Sequence, residues 1–280
     1  MEKCTFAVRF MGKKLTGVLM VVLWIMSGCS EYTKVMKSTD MNVKFDAALK
    51  YYNNKNFSRC LPLFEELVAY YRGTSMAERM YYYYAYSHYG LQNYELAGLH
   101  FNNYVESFTN SSKVEECAYM ACYCGYMQSL PSNLDQSDGF KTIEALQLFI
   151  NTWPESTYIP SCNRLLDALR LKLAEKSYQN AKLYFQIEDY RAAMVSFKNL
   201  IKDYPDTEHK EEAMYLLVKS AYLMAKNSVE EKKEERFKSV IEYYNEYLSE
   251  FPDGEKSKEL KNIQFKAKAE LTRITKLPQS

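Results

Sequence analysis

The residue best placed for covalent chemistry is Cys29, which closes the run Met26-Ser27-Gly28-Cys29. Lys3, Arg9, Lys13 and Lys14 come first, then an apolar stretch from Leu15 to Met26, then two small residues and the cysteine, the order of a bacterial lipobox. In such a site the thiol takes up diacylglycerol and becomes the new N-terminus once the preceding segment is cut away. The apolar stretch is too short and wrongly flanked to span a bilayer, and reads as an export signal. Each acyl CH₂ buried contributes about 0.8 kcal/mol, so several chains on one cysteine hold a soluble domain at a membrane. The expected organisation is therefore a signal peptide over 1–28, a lipidated tether over 29–40 and a single repeat domain over 41–280.

The other reactive residue types offer little. With Cys4 lost with the signal and Cys29 lipidated, Cys60, Cys117, Cys122, Cys124 and Cys162 remain, an odd number that argues against a complete disulfide framework. Cys117, Ala121 and Cys124 recur at i, i+4, i+7 and read as small core residues of one helix face. Cys122 and Cys124 fall on different sides of that helix, so a zinc site lacks its four ligands and no metal is expected. His88 sits at a packing position, His100 lies mid-helix and His209 is in a charged loop. No nucleophile and base, glycine-rich phosphate loop or metal spacing accompanies them, so no catalytic residue, enzyme activity or cofactor is assigned.

The elements that position everything else are repeats. Five times an aromatic residue stands 13 or 14 positions ahead of a second aromatic that closes a helix: Phe57/Tyr71, Tyr94/Phe108, Phe140/Trp153, Tyr190/Tyr204 and Phe237/Phe251. Pro154-Glu155-Ser156, Pro205-Asp206-Thr207 and Pro252-Asp253-Gly254 follow the last three, each a helix stop with a cap residue for the next helix. The closing aromatics are 37, 45, 51 and 47 residues apart, at and above the roughly 34-residue tetratricopeptide unit. Tyr190, Ala193, Phe197 and Pro205 fill that unit's second-helix pattern; Phe237, Val240, Tyr244 and Pro252 follow it, as do Tyr94, Ala97, Phe101 and Phe57, Cys60, Phe64. First helices carry Ala48/Tyr51, Ala85/His88 and Ala181/Tyr184. The third repeat reads as one residue short, with an exposed insertion from Leu130 to Gly139. A position that is small in regular arrays is filled by Leu67, Tyr104, Phe149, Leu200 and Tyr247, which predicts looser packing between neighbours. The expected fold is all-α, a tetratricopeptide-like superhelix of about five helix pairs plus a C-terminal helix, and the 47% hydrophobic content with nine glycines suits it.

A solenoid of helix pairs exposes its first helices as a concave wall. In repeat two, Tyr81, Tyr84, Ala85 and His88 form the stripe that packs on the second helix, while Tyr82, Tyr86 and Tyr89 form another, with Arg79 one turn earlier. Tyrosine offers a broad apolar face with little entropy to lose, and Arg79 is suited to a peptide carboxylate. The matching positions in repeat one are Asn42, Phe45, Leu49 and Tyr52, and in repeat four Glu175, Tyr178, Lys182 and Phe185. Arg79, Tyr82, Tyr86, Tyr89, Phe45 and Tyr52 are thus candidate partner-binding residues. With 36 basic and 35 acidic residues the formal charge is +1, so no nucleic-acid partner is indicated. Glu230 to Arg236 alternates sign and reads as a solvated helix face.

Lys202-Asp203-Tyr204-Pro205-Asp206-Thr207, with Ala213 and Ser220-Ala221-Tyr222, resembles the last repeats of the BamD family, tetratricopeptide lipoproteins of the outer-membrane β-barrel assembly machinery. Leu134-Asp135-Gln136-Ser137 is similar to that family too. So is Thr152-Trp153-Pro154-Glu155-Ser156-Thr157-Tyr158 leading to Leu165 and Leu173-Ala174-Glu175-Lys176. The resemblance covers roughly Phe45 to Arg273. It implies a scaffold anchored by lipid to the periplasmic face of the outer membrane, with two partners: the periplasmic domains of a BamA-type barrel subunit, and unfolded outer-membrane protein precursors ending in an aromatic residue. The other readings of such repeats are a glycan-binding lipoprotein, which length weakens, and a cell-envelope adaptor.

Overall fold

The chain is all-α in the computed structural model, which describes residues 31–276; Cys29 and the signal segment lie outside the described residues. A short helical segment over 31–36 precedes eleven helices. They are α1 (Met41–Asn53), α2 (Phe57–Tyr70), α3 (Ala77–Gly90), α4 (Tyr94–Ser107), α5 (Val114–Gln128), α6 (Ser137–Thr152), α7 (Ile159–Gln186), α8 (Tyr190–Asp203), α9 (Lys210–Lys226), α10 (Glu230–Glu250) and α11 (Ser257–Thr275). None of the described helices is long and apolar enough to cross a membrane. The described residues form two compact units, 31–128 with Glu144–Ile159, and Ser129–Ile143 with 160–276.

Both kinds of connection recur with the same chemistry. Between the helices of a pair, Lys55, Gln92 and Glu188 take left-handed φ values of 56°, 59° and 63°, each two residues ahead of the next helix. Asn93 and Asp189 then cap α4 and α8 by accepting from Leu96 and Ala192 amides. Between pairs, each closing aromatic donates its amide to the carbonyl four residues back, and its own carbonyl accepts from the residue three ahead: Thr74, Ser111, Ser156, Thr207 and Gly254. The hydroxyls of Thr74, Ser111, Ser156 and Thr207 hold the amide two residues on, completing the turn rather than capping the next helix.

The third repeat departs from its expected register. Phe140 is 53% exposed and opens nothing. Counting 14 residues back from Trp153 gives Gly139, and the buried series is Gly139, Thr142, Leu146 and Phe149, in phase with Tyr94, Ala97, Phe101 and Tyr104. The repeat is not short; glycine replaced its opening aromatic and a neighbouring phenylalanine mimicked it. The insertion is a loop over 129–136 closed by buried Gln136, whose Nε2 donates to the carbonyls of Leu130, Pro131 and Leu134. α10 likewise starts seven residues before Phe237, extended by its charged first turns.

In the first unit, one core gathers Ala48, Cys60, Leu63, Phe64, Leu67 and Met80, with Tyr32, Val35 and Met36 of the 31–36 segment packed on it. Part of the expected tether is therefore held against repeat one. A second core holds Ala85, Ala97, Phe101, Tyr104, Cys117, Ala121 and Cys124. In the second unit, Ala181, Ala193, Phe197, Leu200 and Leu217 form one cluster and Val218, Phe237, Val240, Tyr244, Tyr247 and Leu260 another. The five described cysteines are buried and form no disulfide with one another, and burial pushes the thiols of Cys117 and Cys124 up to about 12, which leaves these two inert.

Candidate functional site

The first helices of the first unit carry all six candidate binding residues. The stripe read as packing does pack: Ala85 is fully buried, the Tyr81 hydroxyl lies 3.1 Å from His100 Nδ1 on α4, and His88 stacks on the His100 ring at 4.9 Å. Among the described residues neither ring nitrogen of His88 has a hydrogen-bond partner. Burial lowers the pKa of both rings, that of His100 to about 4 with His88 as the second cause.

The other stripe is half-buried along the contact between α3 and α5. Tyr82 and Tyr86, with ring centroids 4.7 Å apart, both donate to Glu116 Oε1 at 2.6 Å. Lys113 donates to the other oxygen of that carboxylate at 2.8 Å. Burial pushes the Glu116 pKa up, but Lys113 and the two hydroxyls outweigh it and hold the group below its ordinary value. Both tyrosines are raised, by burial first and by their bonds to Glu116 second. Tyr89 sits one turn further on, against Tyr94 and Tyr123. Arg79 is exposed and places its guanidinium 4.9 Å above the Phe45 ring, so these two candidates meet each other. Tyr52 is packed among Phe57, Phe64 and Tyr83, and burial followed by Tyr83 pushes its hydroxyl up to about 12.

These contacts are one motif repeated. An aromatic at a fixed first-helix position, joined in three of the four cases by the residue four later, reaches the residue three positions before the equivalent position of the next first helix. Phe45 meets Arg79, and Tyr82 with Tyr86 meets Glu116. In the second unit Lys182 joins the Tyr178 hydroxyl to Glu212 at 3.0 and 3.3 Å. Tyr215 donates to Glu259 at 2.8 Å while Lys219 pairs with the same carboxylate at 3.1 Å. Glu116, Glu212 and Glu259 each stand third in their helix, where an acid also meets the positive end of the helix dipole. Sequence reasoning missed Glu116, although the recurrence of Glu at that position in Glu175, Glu212 and Glu259 is visible in the chain.

His209 has more partners than its charged loop suggests: its ring stacks on Tyr178 at 4.0 Å and its Nε2 lies 2.6 Å from Glu175. With Glu208 these groups bring three ligand-type atoms within 4.8 Å of one another.

Tandem helix pairs joined by rungs from an aromatic to a charged residue define a tetratricopeptide-type fold. The chain belongs to the YfiO family, outer membrane lipoproteins, which it matches over residues 37–237. It is similar to Outer membrane protein assembly factor BamD of Rickettsia prowazekii (strain Madrid E), 24% identical over 235 residues that cover 82% of this chain and 90% of that protein. The proteins of the same name from Buchnera aphidicola subsp. Acyrthosiphon pisum (strain APS) and Caulobacter vibrioides (strain ATCC 19089 / CIP 103742 / CB 15) are 22% and 25% identical. They match over 149 and 138 residues, covering 50% and 49% of this chain and 61% and 45% of the relatives.

Proposed function

We propose that the protein is a non-enzymatic scaffold for assembly of outer-membrane β-barrel proteins, held at the periplasmic face of the outer membrane by lipid on Cys29. The observation that carries this reading is the near full-length likeness to a protein named as an assembly factor, within a family of outer membrane lipoproteins. The finer reading is that the scaffold docks the periplasmic domains of a BamA-type barrel subunit and receives unfolded precursors along the first helices of its first unit. The hydroxyls of Tyr82 and Tyr86 are committed to Glu116, so what the row offers a precursor is aromatic ring face, with the exposed Arg79 guanidinium available to a terminal carboxylate.

Affinity copurification from detergent-solubilised membranes tests the scaffold reading: a large β-barrel protein is expected to come down with this chain, and its absence would refute the reading. Titration with a peptide ending in an aromatic residue tests the row. Arg79→Ala and Tyr89→Ala are expected to weaken binding with the melt unchanged, and unaltered affinity in both variants removes these residues from recognition.

A further inference from the structure

The outer face of α11 is exposed. Leu260, Ile263 and Ala267 bury one side of this helix, while Phe265, on the opposite side, is 72% exposed, more than any other large apolar residue described. At three- and four-residue spacings around it stand Lys258, Lys261 and Lys268, all exposed. Among the described residues none of these ammonium groups has a carboxylate within ion-pair range. The two acids of the helix lie on its flank and are committed, Glu259 to Lys219 and Tyr215, Glu270 to Arg273.

An exposed helix face is kept soluble by mixed charges, as in the alternating Glu230 to Arg236 turns of α10. A stripe with one sign of charge around an exposed phenylalanine does something else. Phe265 stands where first helices carry the small residues Ala48, Ala85 and Ala181 that let a second helix approach, so a phenylalanine there would hold off a further helix packed in the repeat manner.

We infer that this face of α11 rests on anionic phospholipid headgroups. The chain is an outer membrane lipoprotein by family, so a bilayer surface is the nearest extended partner. Lysines on flexible stems neutralise mobile phosphates, whereas protein interfaces favour arginine and deplete lysine; the only arginine of α11, Arg273, is off the stripe and paired to Glu270 and Glu230. A phenylalanine amid lysines is the pairing of an interfacial helix, its ring at the headgroup and acyl boundary and the ammonium groups in the phosphate layer. Each lysine near an anionic surface strengthens the contact roughly fivefold.

The test uses the full lipoprotein reconstituted by its own anchor into vesicles of phosphatidylcholine, with or without phosphatidylglycerol, and carrying Phe265→Trp. After subtraction of the parent protein's emission, the added indole is expected to shift to the blue and to be quenched by brominated acyl chains only where phosphatidylglycerol is present. High salt, or combined Lys258→Gln, Lys261→Gln and Lys268→Gln, is expected to abolish the quenching. The charge-matched set Lys202→Gln, Lys226→Gln and Lys232→Gln is expected to leave it intact. An indole left in water in both vesicle types overturns the inference, as does equal quenching without anionic lipid. A blue shift produced by added oligoglutamate with no acyl-chain quenching would assign the face to an acidic polypeptide instead.

Discussion

Tyr247 is fully buried, yet its hydroxyl reaches Glu211 at 2.8 Å, tying the second helix of the last pair to the first turn of its own first helix. Tyr104 does the same to Glu78 at 3.1 Å in repeat two, through a site it shares with Ser111. At Tyr104 and Tyr247 the bulk at a position that is small in regular arrays therefore ends in a polar contact. Tyr247→Phe keeps the ring and loses the bond, and should cost about 1–2 kcal/mol. Gly254→Ala should match or exceed it, because a Cβ there would collide with the Tyr247 hydroxyl and the Glu211 carboxylate. Denaturant melts of both variants check this, and a Tyr247→Phe midpoint equal to the parent's would remove the contact from the stability of the fold.

The rungs between first helices predict which exchanges are tolerated. Glu116→Ala leaves two half-buried hydroxyls and Lys113 without their acceptor and should destabilise the first unit by about 1–3 kcal/mol. Lys219→Tyr should stay within about 0.5 kcal/mol, since repeat two carries Tyr86 at the same position. If Lys219→Tyr melted as early as Glu259→Ala, the equivalence of the rungs would be wrong.

Close helix packing is tested at Ala193, which is fully buried beside Phe197 and Leu217. Ala193→Leu should cost about 1–3 kcal/mol through strain, against little change for Asn199→Leu on the exposed side of α8. Lys198 is a poor control, because its ammonium group lies 4.4 Å above the Tyr243 ring.

Acid should loosen the first unit through the stacked histidines. His88 and His100 titrate below their ordinary 6.5, His100 at about 4, so the unfolded chain binds more protons between those values. Stability is fully present above about pH 6.5 and is lost as the pH falls towards 4. His100→Gln should flatten that part of the pH profile of the melting temperature. A slope unchanged by the substitution would place the acid sensitivity elsewhere.

Lipidation is tested by metabolic labelling with a clickable fatty acid: Cys29→Ala should abolish the label. Undiminished label in that variant would sink the assignment.

Much of the fold was legible because its punctuation is local. Closing aromatics, turn hydroxyls and i, i+3, i+7 stripes all lie within one helix or one turn, and both tyrosine stripes of α3 were separable from spacing alone. The slip at Phe140 came from the same locality: an aromatic one residue from glycine satisfies the pattern, and only burial of Thr142 and Leu146 shows which phase is used. The role of the candidate site was less legible because its partners are remote. Glu116 is 34 residues from Tyr82 and looks like any first-turn acid, so a row read as waiting for a ligand has its hydroxyls already occupied.

The rungs are not the same at every joint, and this constrains which repeat can follow which. Phe45 meets a cation in Arg79, whereas Tyr178 with Lys182 and Tyr215 with Lys219 meet anions in Glu212 and Glu259. A copy of repeat two inserted behind α7 would set the guanidinium of Arg79 against the ammonium of Lys182, two like charges in a half-buried seam. The joint after α7 therefore discriminates against repeat two as a neighbour, whereas the repeat that begins with α9, whose Tyr215 and Lys219 meet Glu259 as Tyr178 and Lys182 meet Glu212, could follow a copy of itself.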